Sequence, residues 1–352
     1  MKKVLTVSGV FISGLIGAGF ATGSEIYFYF IKYGKIGLLG IILSSVLFSA
    51  LLYAVVYSSS KLNAHTIDEY LNKIMPKPMA MVISFFSKIF MLFILAAMLS
   101  GCGEMLYMLY GIKKSIGALF MLVITFAVIT KGHNGFIMSE SILFAVITTM
   151  IILVCVYIIF FCECREDVFA YSNVAWAGSA FSYAGYNMLT AVAVLCIVSD
   201  NTTQRNAKMS ATFTFIMLFA IMSLIGYVIN MHKGLVRFGA MPLIDICKFH
   251  SVQLAGVYSV AVFVSMLTTA ISVGYSLVSG LKMRIGDKRI IPCSIFVFAY
   301  FLSGMDFSFV VDKLYRAAGI FGIIMSIYIF RYIFIKNNIL RKLKISKENK
   351  RI

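Results

Sequence analysis

The sequence predicts an all-α integral membrane protein of ten transmembrane helices, arranged as two inverted five-helix repeats. Three observations predict it. First, 61% of the 352 residues are hydrophobic, only 13% are charged, and the mean hydropathy is +0.95. A soluble domain has about 45–50% apolar and about 25% charged residues, and a chain of this size would still need a polar shell. Second, the apolar residues gather into ten runs, each suited to crossing about 30 Å of hydrocarbon. Third, the gaps between runs are short, so no soluble domain fits between them. A soluble enzyme, a DNA-binding module and a disordered scaffold are excluded. The net charge of +17 therefore reports orientation, not nucleic-acid binding.

The runs lie at roughly 4–31, 36–60, 84–110, 115–131, 136–162, 168–199, 209–231, 250–281, 290–305 and 314–335. The first follows Met1-Lys2-Lys3 and stays uncharged up to Glu25, longer than a signal-peptide apolar core, so it reads as a span. The longest loop, 61–79, has room for a short interfacial helix. The spans form one domain over 1–335, with repeats at about 4–162 and 168–335, followed by a basic tail at 336–352. Ten spans put both termini on one side. That side carries twice as many Lys and Arg as the other, which places both termini in the cytoplasm of a cell membrane. The tail holds seven Lys or Arg and one Glu, suited to an anionic leaflet.

No proline lies mid-span, so any break within the membrane must come from glycine. Two segments qualify. The first span contains Gly14, Gly17, Gly19 and Gly23, and each glycine weakens a helix by about 1 kcal/mol against alanine. The sixth contains Gly178-Ser179-Ala180-Phe181-Ser182-Tyr183-Ala184-Gly185-Tyr186-Asn187. Close helix packing through small residues is the competing account. The matching positions of the two segments, each opening a five-span half, favour broken helices 1 and 6 flanking a binding site. Unwound backbone there would offer free N–H groups to an anion and carbonyls to a cation.

At these residues the chain resembles a known group. Ile16-Gly17-Ala18-Gly19-Phe20 with Gly23 resembles the glycine-rich first helix of the amino acid–polyamine–organocation superfamily. Phe181 to Asn187 resembles its sixth helix, except that Asn187 stands where an acid is frequent. The string from Gly17 to Ile26 is similar to that of bacterial YkvI-type membrane proteins within that superfamily. The resemblance implies a LeuT-like fold and a site between helices 1 and 6. Its candidate solute-binding residues are Gly17, Ala18, Gly19, Phe20, Thr22, Gly23 and Glu25, with Ser182, Tyr183, Gly185, Tyr186 and Asn187.

Intramembrane carboxylates are costly and are usually paired or functional. Glu25, directly after the glycines, is the leading candidate: for a cation, a coupling proton or a substrate amine. Its alternative is capping the second half of helix 1. Glu104 is placed either facing the bundle or paired with a lysine, and Glu140 at the interface. In span eight, Thr268, Thr269 and Ser272 share a polar face. Hydroxyls that bond back to their own helix are the plain reading. The LeuT-like resemblance implies instead a sodium site, shared with the carbonyls of Ser13 and Ile16. No nucleotide-binding loop, zinc pair or nucleophile elbow occurs, so the chain reads as a non-enzyme without a cofactor, sodium being the one ion considered.

The expected function is secondary transport of a small solute, an amino acid or related amphiphile, coupled to sodium or protons. A channel would need a ring of equivalent filter segments. A membrane enzyme would need convergent nucleophiles, bases or metal ligands. The alternative that remains is a non-transporting sensor or assembly factor with a transporter fold.

Overall fold

The computed structural model describes residues 1–162, 175–236, 239, 241–285, 290–304 and 315–348. The first span is interrupted. It comprises α1 (Lys2–Leu15), the single turn α2 (Ala18–Ala21) and α3 (Ser24–Tyr29). A 3₁₀ segment, Ile31–Ile36, leads into α4 (Gly37–Leu62). The first half continues with α5 (Ile67–Ile74), α6 (Lys77–Tyr110), α7 (Lys114–Ile129) and α8 (Gly132–Phe161). The second half contains α9 (Trp176–Val198), α10 (Gln204–Met231), α11 (Pro242–His250), α12 (Val252–Ile285), α13 (Ile290–Leu302) and α14 (Tyr315–Glu348). Among the described residues, seven helical stretches are long and apolar enough to cross a membrane, and Lys114–Ile129 and Cys293–Leu302 are shorter apolar helices. With the interrupted first span these account for the ten expected crossings. Large side chains such as Phe85, Phe160 and Phe301 are exposed on the outer surface, as a lipid-facing wall requires.

Short helices occupy matching places in the two halves, α5 between spans two and three and α11 between spans seven and eight. Helix α5 fills the loop where sequence left room for one. Thr66 caps it by accepting from the Glu69 amide, and Asp68 and Glu69 complement the dipole of its first turn. Asp68 then pairs with Lys88, the one lysine deep in the third span, at 2.5 Å, and Ser84 donates to the same carboxylate. An intramembrane lysine is thus neutralised by its partner. Glu104 likewise pairs with Lys114 across the turn between α6 and α7, its structural alternative.

Helix α14 runs on to Glu348 without a stop where the basic tail was expected to begin. The sixth span was expected over 168–199, of which 168–174 lies outside the described residues.

Opposite the termini, by the count of crossings, His232 and His250 meet at 2.7 Å between their Nε2 atoms. The His232 Nδ1 lies 2.8 Å from the Val228 carbonyl and must donate to it. Its Nε2 therefore accepts, and the His250 Nε2–H donates. Burial holds both imidazoles below the usual histidine range, and the neighbouring His232 adds to the effect on His250. A histidine with a depressed folded pKa takes up its proton more readily when unfolded. Its stabilising contribution is therefore full above about pH 6.5, the ordinary histidine value, and is lost as pH falls further. The melting temperature of the purified chain should drop on acidification through that range, and His250→Gln should flatten the drop. An identical acid slope in both proteins would show that the pair does not titrate with unfolding.

Candidate functional site

The first span breaks where its glycines cluster. Ile16 leaves the helical region (φ −76, ψ 75) and Gly17 is extended (φ −86, ψ −171). After one helical turn, Gly23 takes a left-handed conformation (φ 77) that side chains resist. The unwound backbone expected at these glycines is thus corrected to two kinks around one helical turn, Ala18–Ala21.

Each kink strands carbonyls that a continuous helix would satisfy. The Gly17 amide bonds Leu15, so the Ser13 carbonyl instead accepts the Thr268 hydroxyl at 3.0 Å. The Thr269 hydroxyl reaches the Gly14 carbonyl at 3.5 Å, not that of Ile16. At the second kink, the Ala21 carbonyl accepts from the Tyr258 hydroxyl, and that of Thr22 from the Leu243 amide at 2.9 Å. Helices α11 and α12 thereby hold the break open. Thr22 is absorbed locally: its hydroxyl donates to the Ala18 carbonyl at 2.7 Å.

Helix six is different. The expected break of this helix within Gly178 to Asn187 is absent: α9 is continuous from Trp176 to Val198. Gly185 serves close packing instead. A methyl on Gly185 would lie 2.5 Å from the Gly319 carbonyl oxygen, and one on Gly319 would lie 2.7 Å from Ser182 Oγ. Here α9 and α14 meet backbone to backbone, the small-residue contact that membrane helices favour. Asn187 is bonded back to the Tyr183 carbonyl at 3.0 Å, as a continuous helix allows.

The fold nevertheless brings Glu25 together with Tyr183 and Tyr186. Glu25 is 5% exposed, and both tyrosine hydroxyls face it. The carboxylate folds back over Gly19, where a methyl would sit 2.3 Å from Oε1. Around it stands an aromatic cage. Tyr29 is 5.1 Å from Tyr183 and 5.8 Å from Tyr186 between ring centroids, and Tyr186 is 4.6 Å from Tyr315. Phe90 closes the side beside Tyr315 at 5.5 Å. Glu25 Oε2 and the hydroxyls of Tyr183 and Tyr186 are buried without a hydrogen-bond partner. Buried polar atoms are rarely left so. Phe20 is fully buried in the core, and Ala18 beside it is equally enclosed.

Three contributors were not singled out from sequence. Tyr29 follows Glu25 by one helical turn, a spacing that was legible. Tyr315 and Phe90 come from distant spans and carried no local signal. Glu140, by contrast, was noted but assigned to the interface. It is fully buried, because α8 starts at Gly132 and carries residue 140 about 12 Å along its axis. Ser13 donates a hydrogen bond to it.

No family model matches the chain. The chain resembles one curated relative along most of its length. That relative is the uncharacterized membrane protein YkvI of Bacillus subtilis (strain 168), 24% identical over 324 residues, covering 88% of this chain and 90% of the relative. Among solved structures, a manganese transporter of Eremococcus coleocola aligns with a TM-score of 0.58 at 10% identity, over 93% of this chain and 76% of that one. A Na+-coupled sialic acid symporter aligns at 0.58 and 13% identity, over 93% and 72%. Mhp1, a nucleobase-cation-symport-1 family transporter, aligns in its inward-facing form at 0.60 and 12% identity, over 90% and 73%. At such identities the likeness concerns the fold, which is that of the LeuT-type transporters. These neighbours are secondary transporters, not enzymes.

Proposed function

We propose that the chain is a secondary transporter in the cell membrane, with both termini cytoplasmic. Its cargo is a small solute bearing a protonated amine, an amino acid or related amphiphile. The observation that carries this is the buried Glu25 carboxylate with an unpartnered oxygen, ringed by Tyr29, Tyr183, Tyr186 and Tyr315. A carboxylate anchors an ammonium group by charge-assisted hydrogen bonds. Aromatic faces attract the same cation. The kink at Gly17–Gly23 supplies the mobile element, since rocking about a discontinuous helix is how such folds alternate access. Manganese is not carried over from the structural neighbour: among the described residues, no three His, Cys, Asp or Glu side chains converge.

The test is a thermal-shift screen of purified protein against amino acids, monoamines and their deaminated analogues, followed by uptake of the hit into liposomes. Amine-bearing solutes should stabilise the protein and their analogues should not. Glu25→Gln should weaken the hit by about 1.5–3 kcal/mol, the worth of a hydrogen bond to a charged group, while folded yield holds. Equal loss of yield and binding would mark Glu25 as a cap. Binding without uptake would favour the sensor reading.

A further inference from the structure

We propose that the outer face between α4 and α10 binds one anionic diacyl phospholipid at the end of the bundle that holds the termini. An acyl chain lies in the groove between the two helices, and the phosphate sits among Lys61, Arg205 and Lys208. This site is on the wall of the bundle, away from Glu25, and does not depend on the transport reading.

The groove exists because small residues meet there. Helices α4 and α10 run antiparallel, and the Ser49 hydroxyl donates to the Ala211 carbonyl at 2.9 Å. Ser49, Ala50 and Ala211 form a floor between Val46 and Phe215, toward the membrane centre, and Tyr53 and Thr212 at the mouth. The space so enclosed is about 390 Å³. Val46 and the neighbouring Ile216 are exposed, so the groove opens on the lipid-facing wall. From Val46 to Tyr57 is about 16 Å along α4, close to the depth of one hydrocarbon leaflet, half of roughly 30 Å.

The mouth is basic. The Thr202 amide donates to Ser60 Oγ at 3.2 Å, which fixes the end of α4 beside the start of α10. Tyr53, Tyr57 and Lys61 follow one another at four-residue intervals on one face of α4. The two rings stack with centroids 5.7 Å apart, and Lys61 Nζ folds back to 4.5 Å from the Tyr57 ring. On α10, Lys208 shares a face with Thr212, and Arg205 lies one turn nearer the surface; both cations are exposed. Helical side chains lean toward the N-terminus of their own helix. In this antiparallel pair, Lys61 leans toward the membrane and Arg205 and Lys208 lean toward the surface. The three cations therefore come within reach of one level, that of Tyr57. Tyr53 accepts from Gln204 Nε2 at 3.2 Å, which leaves its own hydroxyl proton for a phosphate oxygen.

The ion pairs among the described residues join His65 to Asp200, Lys88 to Asp68 and Lys114 to Glu104, and use none of these three cations. Asp200, the acid at this end of the bundle, is thus already engaged. Unpaired cations between membrane helices suit a lipid phosphate. A groove of leaflet depth suits an acyl chain, and an anionic phospholipid carries both at this spacing. A zwitterionic lipid would bring its own ammonium group among the three cations.

The experiment adds dioleoyl phosphatidylglycerol, dioleoyl phosphatidylcholine or glycerol phosphate to the delipidated full chain in detergent. Native mass spectrometry reads the adducts, and the melting temperature reads the stabilisation. Phosphatidylglycerol should bind saturably at one per chain and raise the melting temperature; the other two should not at the same concentration. Lys61→Gln with Lys208→Gln should weaken it about 25-fold, about fivefold per charge removed. Lys77→Gln with Lys131→Gln removes two exposed lysines at the same end and should leave the affinity unchanged. Ala50→Phe fills the groove and should block the lipid, while the melting temperature without lipid reports an intact fold. Should Ala50→Phe fail to fold, Thr212→Phe fills the mouth instead and removes only a hydroxyl that bonds the Lys208 carbonyl at 3.2 Å. The proposal is overturned if phosphatidylcholine binds as well, or if glycerol phosphate alone stabilises equally. It is also overturned if the control pair weakens binding as much as the Lys61 and Lys208 pair, or if the filled groove still binds the lipid. A dimer that Ala50→Phe dissociates would make this face a contact between two copies of the chain and overturn it as well.

Discussion

Gly19→Ala is expected to abolish amine binding nearly as completely as Glu25→Gln. The added methyl would stand 2.3 Å from Glu25 Oε1, 2.7 Å from Cγ and 2.8 Å from Cδ. No real contact is that short, so the carboxylate must leave its place against α2. Its surroundings are buried and aromatic, so it has no equivalent polar berth nearby. The expected loss is on the order of 100-fold in affinity, read by thermal shift or isotherm for the screened solute. Backbone conformation is not the issue at this position. What glycine provides here is room for a carboxylate. The double change Gly19→Ala with Glu25→Gln should bind no worse than either alone, because both remove one interaction. Full affinity in Gly19→Ala would show that the carboxylate does not anchor the solute.

Gly322→Ala should be the most damaging single methyl in the bundle. Its Cβ would lie 1.8 Å from the Gly185 carbonyl oxygen, a backbone atom that cannot rotate away. Accommodating it means separating α9 from α14, the most extensively packed helix pair among the described residues. Overpacking typically costs about 1–3 kcal/mol, and a backbone clash belongs at or above the upper end. Monodisperse yield and melting temperature should both fall sharply. Gly178→Ala is the control: nothing lies within 4 Å of its added methyl, so stability should be unchanged or slightly improved. Equal tolerance of both substitutions would refute close packing as the purpose of these glycines. Normal stability with lost transport would restore a hinge role to Gly185.

Glycines at 17, 19 and 23 and glycines at 178 and 185 look alike in a string. In the first span the glycines lie in or beside kinks whose stranded carbonyls find donors on α11 and α12. In the sixth, Gly185 faces another helix whose own glycines, Gly319 and Gly322, let the backbones touch. Only the identity of the neighbour separates a break from a packing seam. The matching positions of the two segments in the halves could not supply that identity.

The sequence by itself determined the membrane class, the ten crossings, the short helix at α5, the kinked first span and the position of Glu25 directly after its glycines. Each follows from local quantities: apolar run length, glycine density, or the cost of a charge among apolar neighbours. The tertiary structure alone decided which face of each helix looks inward. It turned Glu140 from an interfacial group into a buried one held by Ser13, because α8 begins earlier than its apolar run and packs on α1. It also assembled Tyr29, Tyr183, Tyr186 and Tyr315 around Glu25 from three separate spans. Helix periodicity says that one side of a span is buried, but uniformly apolar spans give no moment from which to read that side. Packing of small against large residues settles it, and that is a property of pairs of helices distant in the chain.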